Sequence, residues 1–234
     1  MNSARAWDRS WFESCIFQKS MLAWRGVEAQ HVVSTMRLVD SREEQDELER
    51  LLERSKPPQP AMAVPKHYLI FTPFRYRPPH PSRFRKGSEL GLWYGAEDLY
   101  AACAEVAYWR NRFILDSASL VKKELLTEHT FFQASVNGQA VDLMSEPWVK
   151  SRSVWTHGSD YTETQALAHA ARDSGVHWIC YESVRSLGKR CAAVLDVDAL
   201  EIVDGGKTMQ TWHCKASKDS VMMVCGSYTY VWKF

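Results

Sequence analysis

The 234-residue chain has no apolar run approaching the roughly 18 residues that a membrane-spanning helix needs. Residues 1–20, MNSARAWDRSWFESCIFQKS, lack the positive-then-apolar order of a secretory leader. The two absences give the expectation of a cytoplasmic protein with no membrane partner. The six cysteines (Cys15, Cys103, Cys180, Cys191, Cys214 and Cys225) form no C-x-x-C pair and meet no paired-histidine spacing. That weighs against a zinc site, and they read as small buried apolar side chains with no metal expected. Positive charge is not in excess either. Lys and Arg number 29 against 28 Asp and Glu, a net charge of +1, whereas nucleic-acid-binding domains are usually strongly basic. No internal repeat or low-complexity segment is present.

What is present suits one domain with decorations: 45% hydrophobic residues, 24% charged, and ten tryptophans. In residues 1–40, Trp7, Trp11, Phe12, Ile16 and Phe17 make a loose helical stripe. Residues 41–55 read as a helix opened by a Ser41/Glu44 capping box, with Leu48, Leu51 and Leu52 as its buried face. The prolines Pro57, Pro58 and Pro60 end it. We therefore expect an N-terminal helical extension over 1–60 and a main body over 61–234.

In that body, His67–Phe71 reads as a buried strand and Gly91–Gly95 as a short one. A helix is expected from about Glu97 to Arg110. Thr130–Val136 and Gln139–Leu143 read as a hairpin turning at Asn137-Gly138. Asp160 with Glu163 opens a helix that stops at Gly175. Val176–Tyr181, Cys191–Asp196, Leu200–Val203 and Ser220–Phe234 read as strands.

The chemistry concentrates in residues 74–112. A proline-stiffened loop carries Arg75, Arg77, Arg83, Arg85 and Lys86, followed by Trp93 and Tyr94 and a helix with a single acid, Glu105, at the margin of its apolar face. Arginine's planar fork suits phosphate oxygens. Ser183 and Arg185 follow the end of an expected strand, where α/β proteins often place function. Taken singly, the basic run reads as a solvated loop and Glu105 as a surface acid; their co-occurrence favours a site.

The ordered pieces FRYRPP (74–79), SRF (82–84), GLWYGAEDLYAACAEVAY (91–108) and TETQALAHAARDSGVHWICYESVRS (162–186) resemble the RES-domain family, toxins of bacterial toxin–antitoxin pairs. The resemblance implies an α+β fold like the ADP-ribosylating toxins, with small central sheets flanking a NAD cleft. It implies NAD consumption, either by phosphorolysis to ADP-ribose-1''-phosphate or by transfer of ADP-ribose to a protein. It also implies an Xre-like antitoxin partner, through which alone nucleic acid would be met. By the same resemblance Arg75 and Arg83 face the NAD phosphates, Tyr76 follows the first arginine, and Tyr94, Glu105 and Ser183 match the family's tyrosine, glutamate and serine. Where the family has Gly-Arg-Trp-Asn this chain has Ser82-Arg83-Phe84-Arg85, so Arg83 and Arg85 are both candidates for the second arginine.

Breaking the nicotinamide–ribose bond passes through an oxocarbenium-like sugar. Nicotinamide leaves neutral, so one carboxylate, Glu105, suffices. Tyr94 would stack on nicotinamide or position the ribose, and Arg185 would serve a phosphate acceptor. A non-enzymatic nucleic-acid-binding module is the reading from another class.

Overall fold

The computed structural model describes residues 6–29, 35 and 38–234. Its strands are β1 (Phe17–Glu28), β2 (Trp93–Ala96), β3 (Leu125–Asp142), β4 (Trp178–Glu182), β5 (Arg190–Val194), β6 (Leu200–Ile202), β7 (Gln210–Ala216), β8 (Ser220–Cys225) and β9 (Tyr228–Lys233). The helices are α1 (Trp11–Ser14), α2 (Arg42–Ser55), α3 (Tyr68–Arg75), α4 (Leu99–Leu115), α5 (Arg152–Trp155) and α6 (Thr162–Asp173).

The long strand β3 organises this α+β fold. One of its edges pairs with β1, Phe17 opposite Ala140 through to Glu28 opposite His129. Its other edge is shared in succession by β7, β6 and, in parallel, β4. From β4 the sheet continues through β5 to β2, and β2 returns to β1 where Trp24 faces Ala96. Strands β1, β2, β5, β4 and β3 therefore close a ring, and β7, β8 and β9 extend from the first half of β3. The expected small sheets are joined through this one strand.

Alternation along the strands separates two hydrophobic clusters. Ala23, Trp93, Phe132, Trp178, Cys180, Ala192 and Val194 pack with α3 in one. Phe131, Val141, Ile179, Tyr181, Cys191 and Ala193 face the other, with α4 and α6. α4 starts at Asp98, whose carboxylate accepts from Ala101 N at 2.7 Å. Its buried side is mostly small (Ala101, Ala102, Cys103, Ala104, Ala107), and it packs on β8 and β1. All six cysteines are free.

Several local expectations are corrected. His67–Phe71 is not a strand. His67 caps α3, which runs through Pro73 and buries Leu69, Ile70, Phe71 and Phe74; a short continuous apolar run suits a buried helix as well as a buried strand. Asn137-Gly138 does not turn: β3 passes straight through it. Gly138 is demanded by close approach, because a Cβ there would lie 2.5 Å from His177 Nδ1, and by its φ of +153°. The N-terminal segment supplies α2 but also β1, from Phe17 onward, to the ring. The parts of the helical expectation at residues 1–5, 30–34 and 36–37 lie outside the described residues. On α2, Glu44 N does donate to Ser41 Oγ at 3.1 Å, but Leu51 and Leu52 are exposed rather than buried. β7 had no sequence-based counterpart, and the tail strand expected over Ser220–Phe234 divides into β8 and β9 at Gly226, φ +56°.

Candidate functional site

A cleft of about 790 Å³ opens between α4, the ring strands β1 and β2, and the loop after Arg75. Arg83, Tyr94, Glu105 and Arg185 line it, with Tyr161 and Tyr181. Four residues marked in the sequence thus meet here from four separate segments.

Glu105 sits on the second turn of α4, and Ser183 lies fully buried behind it, just past β4. The Ser183 hydroxyl accepts from Arg185 N at 3.2 Å and Ser186 N at 3.0 Å. A serine hydroxyl has one proton to give, and here it goes to Glu105 Oε1 at 2.8 Å. Ser183 therefore orients the carboxylate and does not line the cleft itself, although the resemblance matched it to the family's serine. Burial pushes the Glu105 carboxyl above its usual 4.5, and the Ser183 hydrogen bond, Arg185 and Arg83 act the other way. Confining a carboxylate in this way is typical of groups that act chemically.

Arg83 donates through Nη1 to the carbonyls of Trp155 (2.8 Å) and His157 (2.9 Å), with its Cζ 4.9 Å from the Tyr161 ring centroid. Arg185 sits over the Tyr108 ring, with its Cζ 3.4 Å from the ring centroid. Tyr94 anchors the basic loop: its hydroxyl is 2.8 Å from Ser82 Oγ and accepts from Phe84 N at 3.3 Å.

The remaining candidates are elsewhere. Arg85 is buried, donating to the carbonyls of Pro78 (2.9 Å), Lys86 (2.7 Å) and His80, which ties the loop together. Between Arg83 and Arg85, Arg83 reaches this cleft, while Arg85 lines the neighbouring cavity. Arg75 is turned away, held by Glu53 at 2.7 Å and by the Pro57 carbonyl, and lines neither this cleft nor its neighbour. Tyr76 lines that neighbouring cavity. Tyr161 and Arg25 went unmarked in the sequence; Tyr161, just ahead of α6, carries no motif of its own, and Arg25 belonged to a segment read as helix. Among the described residues no cluster of His, Cys, Asp or Glu is placed to hold a metal ion, and no helix is long and apolar enough to cross a membrane.

Residues 59–216, more than half of the chain, match the RES domain. The chain belongs to the RES-domain family. No curated protein matches it in sequence. Among solved structures, the crystal structure of the M. tuberculosis MbcT–MbcA toxin–antitoxin complex is similar at 12% identity and a TM-score of 0.49, covering 90% of this chain and 92% of that one. Arg83, Tyr94, Glu105 and Ser183 all fall inside the RES-domain match, while β1 precedes it.

Proposed function

We propose that this RES-family protein is the toxin of a bacterial toxin–antitoxin pair. It consumes NAD by cleaving the nicotinamide–ribose bond, acts in the cytoplasm, and is held in check by an Xre-like antitoxin over the cleft. The observation carrying this reading is Glu105, fixed by Ser183 and flanked by Arg83 and Arg185 in a cleft of about 790 Å³.

In the reaction, the bond from ribose C1'' to the pyridinium nitrogen breaks with its electron pair going to nitrogen, which releases neutral nicotinamide. Positive charge grows on the ribose, and the ionised Glu105 stabilises it. Tyr94 and Tyr161 supply aromatic faces for the nicotinamide, and Arg83 attracts the phosphates. A phosphate oxygen then bonds to C1'', giving ADP-ribose-1''-phosphate. Arg185 beside Glu105 favours an anionic acceptor of this kind.

Purified protein incubated with NAD, with and without phosphate, tests the reading by its products. Phosphate-dependent ADP-ribose-1''-phosphate is expected. Labelled protein without that product would instead indicate transfer to a protein. Unchanged NAD in both arms overturns NAD cleavage, and salt-sensitive binding of DNA or RNA would then favour the nucleic-acid module.

The pH profile gives a finer check. The working form of Glu105 is ionised, and burial raises its pKa. Activity should therefore fall as pH drops, along an acid limb lying above the ordinary 4.5. Ser183→Ala removes the hydrogen bond that favours the charged form, so the limb of kcat/KM should move to still higher pH. A limb that stays in place in Ser183→Ala would refute this coupling.

A further inference from the structure

The segment ahead of the RES-domain match contributes a cation to the cleft. Arg25, on β1, is half-buried and donates from Nη1 to the Tyr94 carbonyl at 2.8 Å. Its Cζ lies 5.6 Å from the Trp93 ring centroid. Its Nε is buried without a hydrogen-bond partner. Among the described residues no carboxylate is within ion-pair distance of it. Burial pulls its pKa down to about 10, which still leaves it a cation at neutral pH.

Arg25 also has a particular position. It lines the Glu105 cleft and, on its other side, a second cavity of about 560 Å³ walled by Tyr68, Thr72 and Tyr76. Ser82, Tyr94 and Glu28 are shared by both cavities in the same way. The acids nearby are engaged: Glu28 with Arg110 at 2.5 Å and Glu128 with His213 at 3.3 Å. A cation taken out of water without a counter-charge is costly to hold, and an anionic ligand would supply the missing charge. The Nε–Nη2 edge that Arg25 leaves unpartnered is the edge Arg152 uses to grip both oxygens of Glu182, at 2.6 and 2.8 Å.

Resting on the NAD reading above, we propose that Arg25 holds the pyrophosphate of the dinucleotide at the throat between the two cavities, with one nucleoside on each side. Each cavity has the size of a small-molecule pocket, and a pyrophosphate between two nucleosides matches a guanidinium between two cavities. The N-terminal strand is then part of the substrate site, and a chain starting at the RES-domain match would lack an anchor.

The test uses the full chain and inorganic pyrophosphate as probe, read as a rise in melting temperature. Pyrophosphate should stabilise the wild type, bind Arg25→Gln at least tenfold more weakly, and bind Arg25→Lys at an intermediate strength. In steady state Arg25→Gln should raise KM for NAD at least tenfold with a smaller change in kcat. No stabilisation of the wild type, or equal stabilisation of Arg25→Gln, overturns the proposal. Should Arg25→Gln fail to fold, a crystal of the wild type with ADP-ribose decides: its pyrophosphate beside Arg25 supports the assignment, and its pyrophosphate elsewhere overturns it. The two readings fail separately. Pyrophosphate bound through Arg25 without any NAD loss sinks the reaction and leaves the anion site; NAD loss with an unchanged KM in Arg25→Gln sinks the anion site alone.

Discussion

Glu105→Gln is expected to lower kcat for NAD cleavage by about 100- to 1,000-fold, the scale on which one group facing transition-state charge acts. Glutamine has nearly the same shape, and its Oε1 can still accept the Ser183 hydrogen bond of 2.8 Å. Removing the negative charge touches only the state in which the ribose is positive, so KM for NAD should change little. Burial already disfavours the ionised form, so the melting temperature of Glu105→Gln should equal or exceed that of the wild type. Steady-state kinetics and a thermal melt decide the matter together. A variant with full kcat would make the α4 glutamate a bystander.

The second large effect is on stability. Trp178→Ala should cost about 3–5 kcal/mol, the range for emptying a large buried aromatic site. For a chain of this size that lowers the melting temperature by about 6–20 °C. Trp178 is fully buried on β4 and lies in the cluster that joins the strand ring to α3. Its loss opens a cavity between a five-strand ring and a helix, neither of which can easily close over it. Leu51→Ala on the exposed face of α2 is the matched control and should stay within about 0.5 kcal/mol. Urea unfolding measures both, and a Trp178→Ala cost below about 1 kcal/mol would refute the role given to this cluster.

The sequence was most legible where a local rule and the tertiary context agree. Asp98 and the alanines after it specify α4, and the apolar run before Gly175 and after it specifies α6 and β4. Those elements carry Glu105 and lead into Ser183, so the cleft's carboxylate and the serine that holds it could be read directly. Legibility failed where tertiary context overrode a local signal. Asn137-Gly138 is a strong turn signal, yet β1 pairs straight across it on one edge, and on the other edge β6 pairs just before it and β4 just after it. His67–Phe71 has strand composition, yet the cluster under the ring needs a helix with Leu69, Ile70, Phe71 and Phe74 on its buried side. The basic loop shows the same limit for function. Composition makes its arginines equivalent, and only the fold separates Arg83 in the cleft from Arg85 bound to carbonyls and Arg75 bound to Glu53. Arg25 stayed hidden because β1 has no close sequence partner: it pairs with residues 129–140.

That distant pairing also sets the order of events at the ribosome. Synthesis delivers β1 early, but its partner edge on β3 arrives only with residues 129–140, and the ring closes only once β5, ending at Val194, can join β4 to β2. Pairings between segments so far apart in sequence are slow to form, because loop closure must precede any reward. Until β5 is made the nascent chain therefore has no closed ring, and the cleft should form abruptly, when β1 and β5, far apart in the sequence, become linked through β2, β3 and β4.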